Sequence, residues 1–541
     1  MHTYGGGLGI LAGDTARSCA DLELPVVFVT LISRAGYLHQ EIDDRGQQIE
    51  SPDPWKPARF ASPLRAKVAV MIHRREVWLR PWLHVIESAL GHRTPVLLLD
   101  TDIDENAPDD RRITDTLYSG DDRLRLNQEI VLGIGGLRIL QALGFTIRTY
   151  HMNEGHAALL ALDLLRRFPR PADQVRPGEL RYDVSRVREM CIFTTHTPVE
   201  AGHDRFSYAL VADALGDYVD TEQLKLIGGQ EHLNMTLLAL NLSGYINGVA
   251  RRHATTTKSM FPGYRIRAIT NGIHPQTWAH PAFVRLFDQN FPSWEFEPEM
   301  LNRADQLSDD AVWAAHQQAK AELVSFVAAR SGLAMSLEAP IIGFARRMTA
   351  YKRPDLLFSD LDRLAAICQQ HPFQIVISGK AHPNDHRGKE LIREVHAHIH
   401  ELRGKVPIAF VPGYDMEVAK VLVSGSDVWL NTPVPPMEAS GTSGMKAALN
   451  GGLNLSVLDG WWLEACIDGT TGWAIGFADI DGAAAASAHD LYDKLSDVVL
   501  PLYYQDRQRW IWMMKQAISK IASYFNTQRM MRRYATEAYY R

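Results

Sequence analysis

The feature that most constrains the fold is a rhythm that runs the length of the chain. Short apolar runs rich in β-branched residues alternate with longer, helix-patterned stretches. In the first half, strands are expected at Val26–Leu31, Lys67–Ile72, Val96–Asp100, Thr146–His151, Cys191–Thr195 and Arg265–Thr270. In the second half they are expected at Pro340–Ala345, Gln374–Ser378, Ile408–Val411, Asp427–Asn431, Leu453–Val457 and Trp473–Ile475. Helical patterns such as Leu124–Leu143, Glu154–Phe168, Asp355–Gln370 and Glu390–Leu402 fall between them. Alternation of this kind predicts parallel sheets with helices on both faces. So many strands exceed one such sheet, and 541 residues suffice for more than one core at roughly 150 residues per domain. The expectation is therefore an α/β chain with two doubly wound, Rossmann-like domains. The sequence turns helical and charged from Pro281 to about Arg330, which places the first domain at residues 1–275 and the second at 276–520. The aromatic tail 521–541 is expected to form a helix that crosses back onto the first domain. Two such domains facing one another leave a cleft at the carboxyl ends of their strands, where ligands of doubly wound sheets bind.

Composition narrows the function classes. A net charge of −6 with no long Lys/Arg run gives no general attraction to nucleic acid or to an anionic membrane. The four cysteines, Cys19, Cys191, Cys368 and Cys466, are far apart and form no Cys-x-x-Cys pair, so no metal site is expected from them. Few cysteines fit a reducing compartment. The longest apolar runs are too short to span a bilayer, and no basic-then-apolar leader is visible. A cytoplasmic protein is the expectation.

Four segments carry chemistry. The first is Glu438-Ala439-Ser440-Gly441-Thr442-Ser443-Gly444-Met445-Lys446, between the Asp427–Asn431 run and a helix expected to start at Ala447. Glycines and small hydroxyl residues at a strand-to-helix turn expose backbone N–H groups, and a helix start adds partial positive charge. A lysine at the end of such a cradle pairs with a phosphate or carries a Schiff base; a plain turn with a solvated lysine is the simpler account. The second is the glycine-rich loop Tyr4–Asp14, where backbone without Cβ can approach a phosphate or sugar. The third is Arg346-Arg347-Met348-Thr349-Ala350-Tyr351-Lys352-Arg353, just beyond an apolar strand. Cations placed there point into a cleft rather than along a solvated face, Arg as a planar fork and Lys as a point charge. The fourth is His196, after the Cys191–Thr195 run; a lone histidine is also commonly structural.

Taken together these segments resemble the α-glucan phosphorylases, the glycogen, starch and maltodextrin enzymes. Glu438 to Lys446 resembles the family's pyridoxal-phosphate lysine segment, Glu-Ala-Ser-Gly-Thr, two small or polar residues, then Met-Lys. Tyr4–Asp14 resembles the family's glycine loop, with Gly5 where long forms carry Asn. Arg346–Arg353 resembles Lys-Arg-x-x-x-Tyr-Lys-Arg, with Arg346 where long forms carry Lys. Thr195-His196-Thr197 resembles the loop whose histidine lies beside the transferred glucose, and Thr270-Asn271-Gly272 the turn that places an Asn at the sugar. Asn153-Glu154-Gly155-His156 resembles an Asn-Asp-x-His segment, with Glu154 replacing Asp. Gly379-Lys380-Ala381 matches another family turn. The matches run from residue 4 to residue 460 in family order, and the tail resembles the short, unregulated branch.

The resemblance implies the two-domain glycosyltransferase fold called GT-B and transfer of a terminal glucosyl unit from an α-1,4-glucan to orthophosphate. It implies pyridoxal 5′-phosphate on Lys446, with Gly7, Arg346, Tyr414, Thr442 and Ser443 toward the cofactor. Arg347 and Lys352 hold the substrate phosphate, with His196 beside the sugar, and Leu8, Asn271, Glu438, Ser440 and Gly441 complete substrate binding. In the family the cofactor phosphate, not the aldehyde, is the acid–base partner. Glucan and orthophosphate are the partners implied, and a homodimer is left open. Two other readings stand beside it at this point: a nucleotide-sugar glycosyltransferase of the same fold, since Gly6-Gly7-Leu8-Gly9 also occurs in glycogen synthases, and a non-catalytic glucan-binding homologue. Only Met1-His2-Thr3 precede the glycine loop, whereas such loops follow a strand. A misplaced start or a truncated reading frame that omits this strand is the expectation.

Overall fold

The structure is a computed structural model that describes residues 3–117, 120–476 and 484–540. The chain divides into two compact units. One comprises Met1–Leu38, Pro52–Ile269 and Arg532–Arg541; the other comprises His39–Ser51 and Thr270–Met531.

The second unit is built on a six-stranded, wholly parallel sheet. Its spatial order is Ile408–Val411, Gln374–Ser378, Ile341–Ala345, Val428–Asn431, Leu453–Val457 and Gly472–Ile475. In chain order this is 3-2-1-4-5-6, the doubly wound arrangement, whose direction reverses between the first and fourth strands. Every residue of the first five strands to appear in the chain is buried, because helices cover both faces. That is why these strands read as continuous apolar runs and sit within a residue or so of where the sequence places them. The helices come with legible ends. The 23-residue helix Asp309–Ser331 starts with the Ser308 hydroxyl accepting from the Ala311 N–H and stops at Gly332 in the left-handed region.

The segment His39–Ser51 is an antiparallel hairpin that belongs to this unit. Gln40 donates to the Gly379 carbonyl at 2.9 Å and accepts from the Gly413 N–H at 2.9 Å. Gln48 accepts from the Ala381 N–H at 2.9 Å. The sequence offered no strand here, since what holds the hairpin is side-chain amide bonding to distant loops rather than an apolar run.

The first unit carries two sheets. One is four-stranded and parallel, in the order Ile266–Ala268, Tyr245–Gly248, Cys191–Thr194 and Tyr150–Asn153. The other is mixed: Phe28–Leu31 lies parallel to Arg93–Asp100, which is antiparallel to the 13-residue strand Arg75–Glu87. Val68–Ile72 and Ser62–Pro63 also pair antiparallel with that long strand. Helical patterning predicted parallel pairing throughout; Arg75–Glu87 escaped notice because its charges and Pro81 break the apolar run. One buried cluster, including Leu97, Leu99, Leu137, Met152, Phe193 and Ile246, draws on both sheets.

Two boundaries correct the sequence reading in ways that matter for function. Gly7 and Leu8 are not loop residues but open the helix Gly7–Asp21, with Gly6 as its N-cap at φ 75°. The helix after the Val428–Asn431 strand starts at Ser443, not Ala447, so Lys446 lies inside it. Glycine lowers helix propensity but does not forbid a first turn, where backbone N–H groups are unpaired in any case.

Candidate active site

The strand order of the second unit dictates where its chemistry collects. Ile341–Ala345 and Val428–Asn431 are neighbours at the reversal point, and the loops leaving their carboxyl ends are Arg346–Arg353 and the segment through Glu438 to Lys446. Arg353, at φ 46°, ties the two loops together by donating to the carbonyls of Thr432 at 2.8 Å and Pro433 at 2.7 Å.

Glu438 is the hub. Its Oε2 accepts from Arg346 Nη2 at 2.5 Å and from Lys352 Nζ at 2.5 Å, and all three side chains are about a tenth exposed or nearly so. Burial alone would raise its pKa; Lys352 and Arg346 outweigh burial and hold it down at about 2. The Arg346 Nε and Nη1 groups are buried with no hydrogen-bond partner among the described residues. Buried guanidinium donors without acceptors mark a place for an anion. Arg347, by contrast, is exposed.

Glu438 also donates its backbone N–H to Asp459 Oδ2 at 2.8 Å. Asp459 is 2% exposed and follows the Leu453–Val457 strand. Burial pushes its carboxyl up to about 6, against the pull of two backbone N–H groups and with the help of Glu438. Two adjacent carboxyls are thus shifted in opposite directions, Glu438 down and Asp459 up, an arrangement common at functional sites. Sequence reasoning passed over Asp459, although an acidic residue just past a buried strand satisfies the rule that found Arg346 and His196.

Lys446 is 6% exposed, and its Nζ lies 3.6 Å from the centroid of the Trp278 indole. Glycine is required nearby: a Cβ at Gly444 would meet Asn454 Oδ1 at 2.1 Å, and Gly441 has φ 77°. Ser440 is buried and its carbonyl accepts from the Trp461 N–H at 2.8 Å. Thr442 is the N-cap residue of the Lys446 helix, without a side-chain cap bond. The Ser443 Oγ accepts from Trp429 Nε1 at 3.0 Å, so its hydroxyl is oriented by the sheet. The Tyr414 hydroxyl lies 3.4 Å from the Ala345 carbonyl, beside the end of the first strand. Asn271 is 5% exposed; its carbonyl accepts from Arg529 at 3.0 Å, and its Oδ1 is buried without a hydrogen-bond partner among the described residues.

In the first unit the parallel sheet presents a second constellation at its carboxyl ends. Glu154 follows the Tyr150–Asn153 strand at φ 62°, 4% exposed. A buried non-glycine residue in this region is held there by its surroundings. Its Oε1 accepts from the His196 N–H, from Thr197 Oγ1 at 3.0 Å and from Thr195 Oγ1 at 3.4 Å. Burial opposes ionisation, but His196, His156 and the His196 N–H outweigh it, and its pKa falls. His196 Nε2 lies 3.1 Å from Asn153 Oδ1, and burial drives the imidazole down to about 4 despite Glu154, so it is neutral at pH 7. Further back, Glu129, His156 and Asp204 bring ligand atoms within 4.8 Å of one another. Arg125 already supplies a cation there, with Nη2 3.0 Å from Asp204 and 2.9 Å from His156. Gly7 is exposed at the start of its helix, with Leu8 half-buried beside it.

No described helix is long and apolar enough to cross a membrane. Comparison with known proteins agrees with the motifs. Residues 179–471, more than half of the chain, match the carbohydrate phosphorylase family model. A maltodextrin phosphorylase of Thermococcus litoralis is 39% identical over 100% of this chain and 69% of its own length. A glycogen phosphorylase of Mycobacterium tuberculosis is 36% identical over 100% of this chain and 69% of its own. A glycogen phosphorylase of Aquifex aeolicus is 33% identical over 99% of this chain and 83% of its own. With identity at this level along the whole chain, and a doubly wound sheet whose reversal point carries the motif residues, the chain belongs to the carbohydrate phosphorylase family.

Proposed function

We propose that the protein is an α-1,4-glucan phosphorylase that transfers terminal glucosyl units of glycogen or maltodextrin to orthophosphate, giving α-D-glucose 1-phosphate, with pyridoxal 5′-phosphate held at Lys446. The observation that carries this reading is the buried group of Arg346, Lys352 and Glu438 beside the helix of Lys446.

The residues present fit the cofactor. Lys446 offers a buried amine at an aromatic face, and the unpartnered Arg346 donors offer a place for a phosphate. Thr442, Ser443 and Tyr414 complete the set on this unit. Within the first unit, the exposed Gly7 start of a 15-residue helix offers N–H groups suited to an anion. When bound, the cofactor supplies a phosphate that shares a proton with the substrate phosphate, since two such anions close together cannot both fully ionise.

The chain's own groups account for the rest. Lys352 and Arg347 hold the substrate phosphate, one a buried point charge and one an exposed fork free to close on an anion. Glu438 stays ionised, accepts hydrogen bonds from sugar hydroxyls, and fixes Lys352 and Arg346 in place. Ser440 and Gly441 line the sugar beside it. A neutral His196 donates or accepts a hydrogen bond at the glucose without adding charge, and Asn271 presents its amide to the sugar. Fixed cations and N–H groups of this kind stabilise the charge that develops as the glycosidic bond breaks. No exposed pair of carboxylates across a sugar site is needed for this chemistry, unlike hydrolysis.

The test has two parts. Borohydride reduction followed by peptide mapping should place a pyridoxyl group on Lys446, and glucose 1-phosphate should form from maltodextrin only when orthophosphate is present. Folded protein with no label on Lys446 and no phosphate-dependent product sinks the proposal.

A further inference from the structure

The helix that carries Lys446 is joined to a neighbouring segment by one buried side chain. Asn450 follows the last residue of the Ser443–Leu449 helix and is 0% exposed. Its Nδ2 donates to the Lys446 carbonyl at 2.9 Å and to the Trp278 carbonyl at 2.9 Å. Its Oδ1 accepts from the His280 N–H at 2.7 Å. The Asn450 carbonyl is in turn 3.1 Å from His316 Nδ1, and His316 Nε2 is 3.2 Å from Asp427, which pairs with Lys320 at 2.9 Å. The side chains of His316, Asp427 and Lys320 have no solvent exposure.

The carboxamide is matched to this place. It must give two N–H bonds and take one, in a single plane, at the length of one methylene. Among side chains of that size only Asn offers two donors and a carbonyl acceptor. The Asn450 backbone N–H goes to the Ala447 carbonyl, and it is the Asn450 side chain that reaches the Lys446 carbonyl near the helix end. Two backbones are therefore pinned by one group. Their side chains meet on the far side of the clamp, with Lys446 Nζ over the Trp278 ring.

We propose that Asn450 is a positioning residue for Lys446: by holding the Lys446 and Trp278 carbonyls together it keeps the amine on the indole face, aligned for pyridoxal phosphate. The inference rests on the reading that Lys446 takes this cofactor. Its consequence is a divergence between two reactions at one amine. A fixed amine beside a ring is shielded from a small aldehyde yet aligned for the large one; releasing it should have opposite effects.

The experiment compares the full chain with N450D, W278L and W278F after removal of any bound cofactor. One arm follows capture of pyridoxal 5′-phosphate at Lys446 by borohydride trapping and peptide mapping. The other follows methylation of Lys446 by formaldehyde and cyanoborohydride, with the remaining lysines as internal standards. In N450D and W278L, cofactor capture should slow about fivefold or more and methylation should quicken about threefold, the scale set by loss of one cation–π contact at the weaker end of its range. W278F keeps a ring and should stay near the parent values. Capture at the parent rate in either N450D or W278L overturns the proposal, and so does acceleration of both reactions together, which would mark mere loosening. If N450D does not fold, W278L decides by the same criteria. If the parent chain captures no cofactor at Lys446, the functional reading has failed, and the methylation arm alone still tests the clamp: equal methylation of Lys446 in parent and variants overturns it.

Discussion

Two largely buried glutamates lie beyond the carboxyl ends of parallel strands, one in each unit, and they are kept ionised by different means. Glu438 is surrounded by full charges, Arg346 and Lys352 at 2.5 Å each. Glu154 is surrounded by hydroxyls, a backbone N–H and imidazoles, and the nearest imidazole, His196, is neutral at pH 7. The first arrangement concentrates positive charge beside the unpartnered donors of Arg346. The second uses a carboxylate to shape a loop and leaves a neutral ring beside it, with Nε2 3.1 Å from Asn153 Oδ1. Burial is comparable in the two places; the chemistry of the neighbours decides what each can do.

Removing Glu438 should have the largest effect. Glu438→Ala strands two buried cations, and breaking a buried pair from one side costs about 3–5 kcal/mol. Urea unfolding should show that loss, with phosphorolysis falling in parallel. If Glu154→Ala costs as much, the distinction between a charge hub and a loop organiser fails.

The second prediction uses pH and sharpens the contrast within the Glu438 site. Asp459 has a folded pKa of about 6, above its usual 3.8, so the native state holds the proton more tightly. Its contribution to stability is fully present below 3.8 and is lost as pH rises through about 6. At two pKa units the loss is on the order of 3 kcal/mol. Glu438 has the opposite sign: with a folded pKa of about 2 against 4.5, its stabilisation is present above 4.5 and lost as pH falls toward 2. Asp459→Asn should flatten the stability profile between pH 4 and 6 and leave the acid limb below pH 4.5 in place. An unchanged profile between pH 4 and 6 would show that Asp459 does not titrate there.

Arg347 offers a test that separates binding from stability. It is exposed, so Arg347→Ala should move unfolding by no more than about 0.5 kcal/mol. Loss of a charge-assisted phosphate contact should nonetheless raise the KM for orthophosphate, or lower turnover, by about tenfold or more. Parent phosphate kinetics in that variant would remove Arg347 from the phosphate site.

The smallest expected effect is at Glu154→Gln. The amide retains an acceptor for the His196 N–H but no charge, so a cost of about 1–2 kcal/mol in stability is expected, with a modest fall in activity through misplacement of His196. Because the Glu154 charge raises the His196 pKa against burial, its loss leaves the ring neutral at pH 7, and activity should gain no pH dependence near neutrality; such a gain would contradict a neutral His196.

The two constellations were unequally legible. Arg346, Lys352, Glu438 and Lys446 lie on segments that announce themselves, because each follows a wholly buried strand and carries unusual residues at close spacing. His196 was found by the same placement. Asp459 follows an equally clear strand but is a single acidic residue before a glycine, which composition cannot distinguish from a turn. Trp278 and Asn450 could not be seen at all: the bond that joins them, from Asn450 to the Trp278 carbonyl, spans 172 residues of chain, and nothing local marks either one. The hairpin His39–Ser51 was missed for a related reason, since glutamine side chains rather than apolar alternation secure it.

What the sequence determined by itself was the existence and type of the buried strands, and with them the α/β class, because a strand covered on both faces must be apolar throughout. It also identified the family, because the lysine segment is long and specific. Tertiary structure decided the order of strands, which puts the first and fourth side by side and so makes Arg346 and Glu438 neighbours. It decided that Gly7 and Ser443 begin helices, since unpaired N–H groups at a first turn tolerate glycine and serine. It decided, finally, the ionisation of each buried acid, because a carboxyl's pKa is set by which charges and N–H groups stand within a few ångströms, and that is a property of packing rather than of order along the chain.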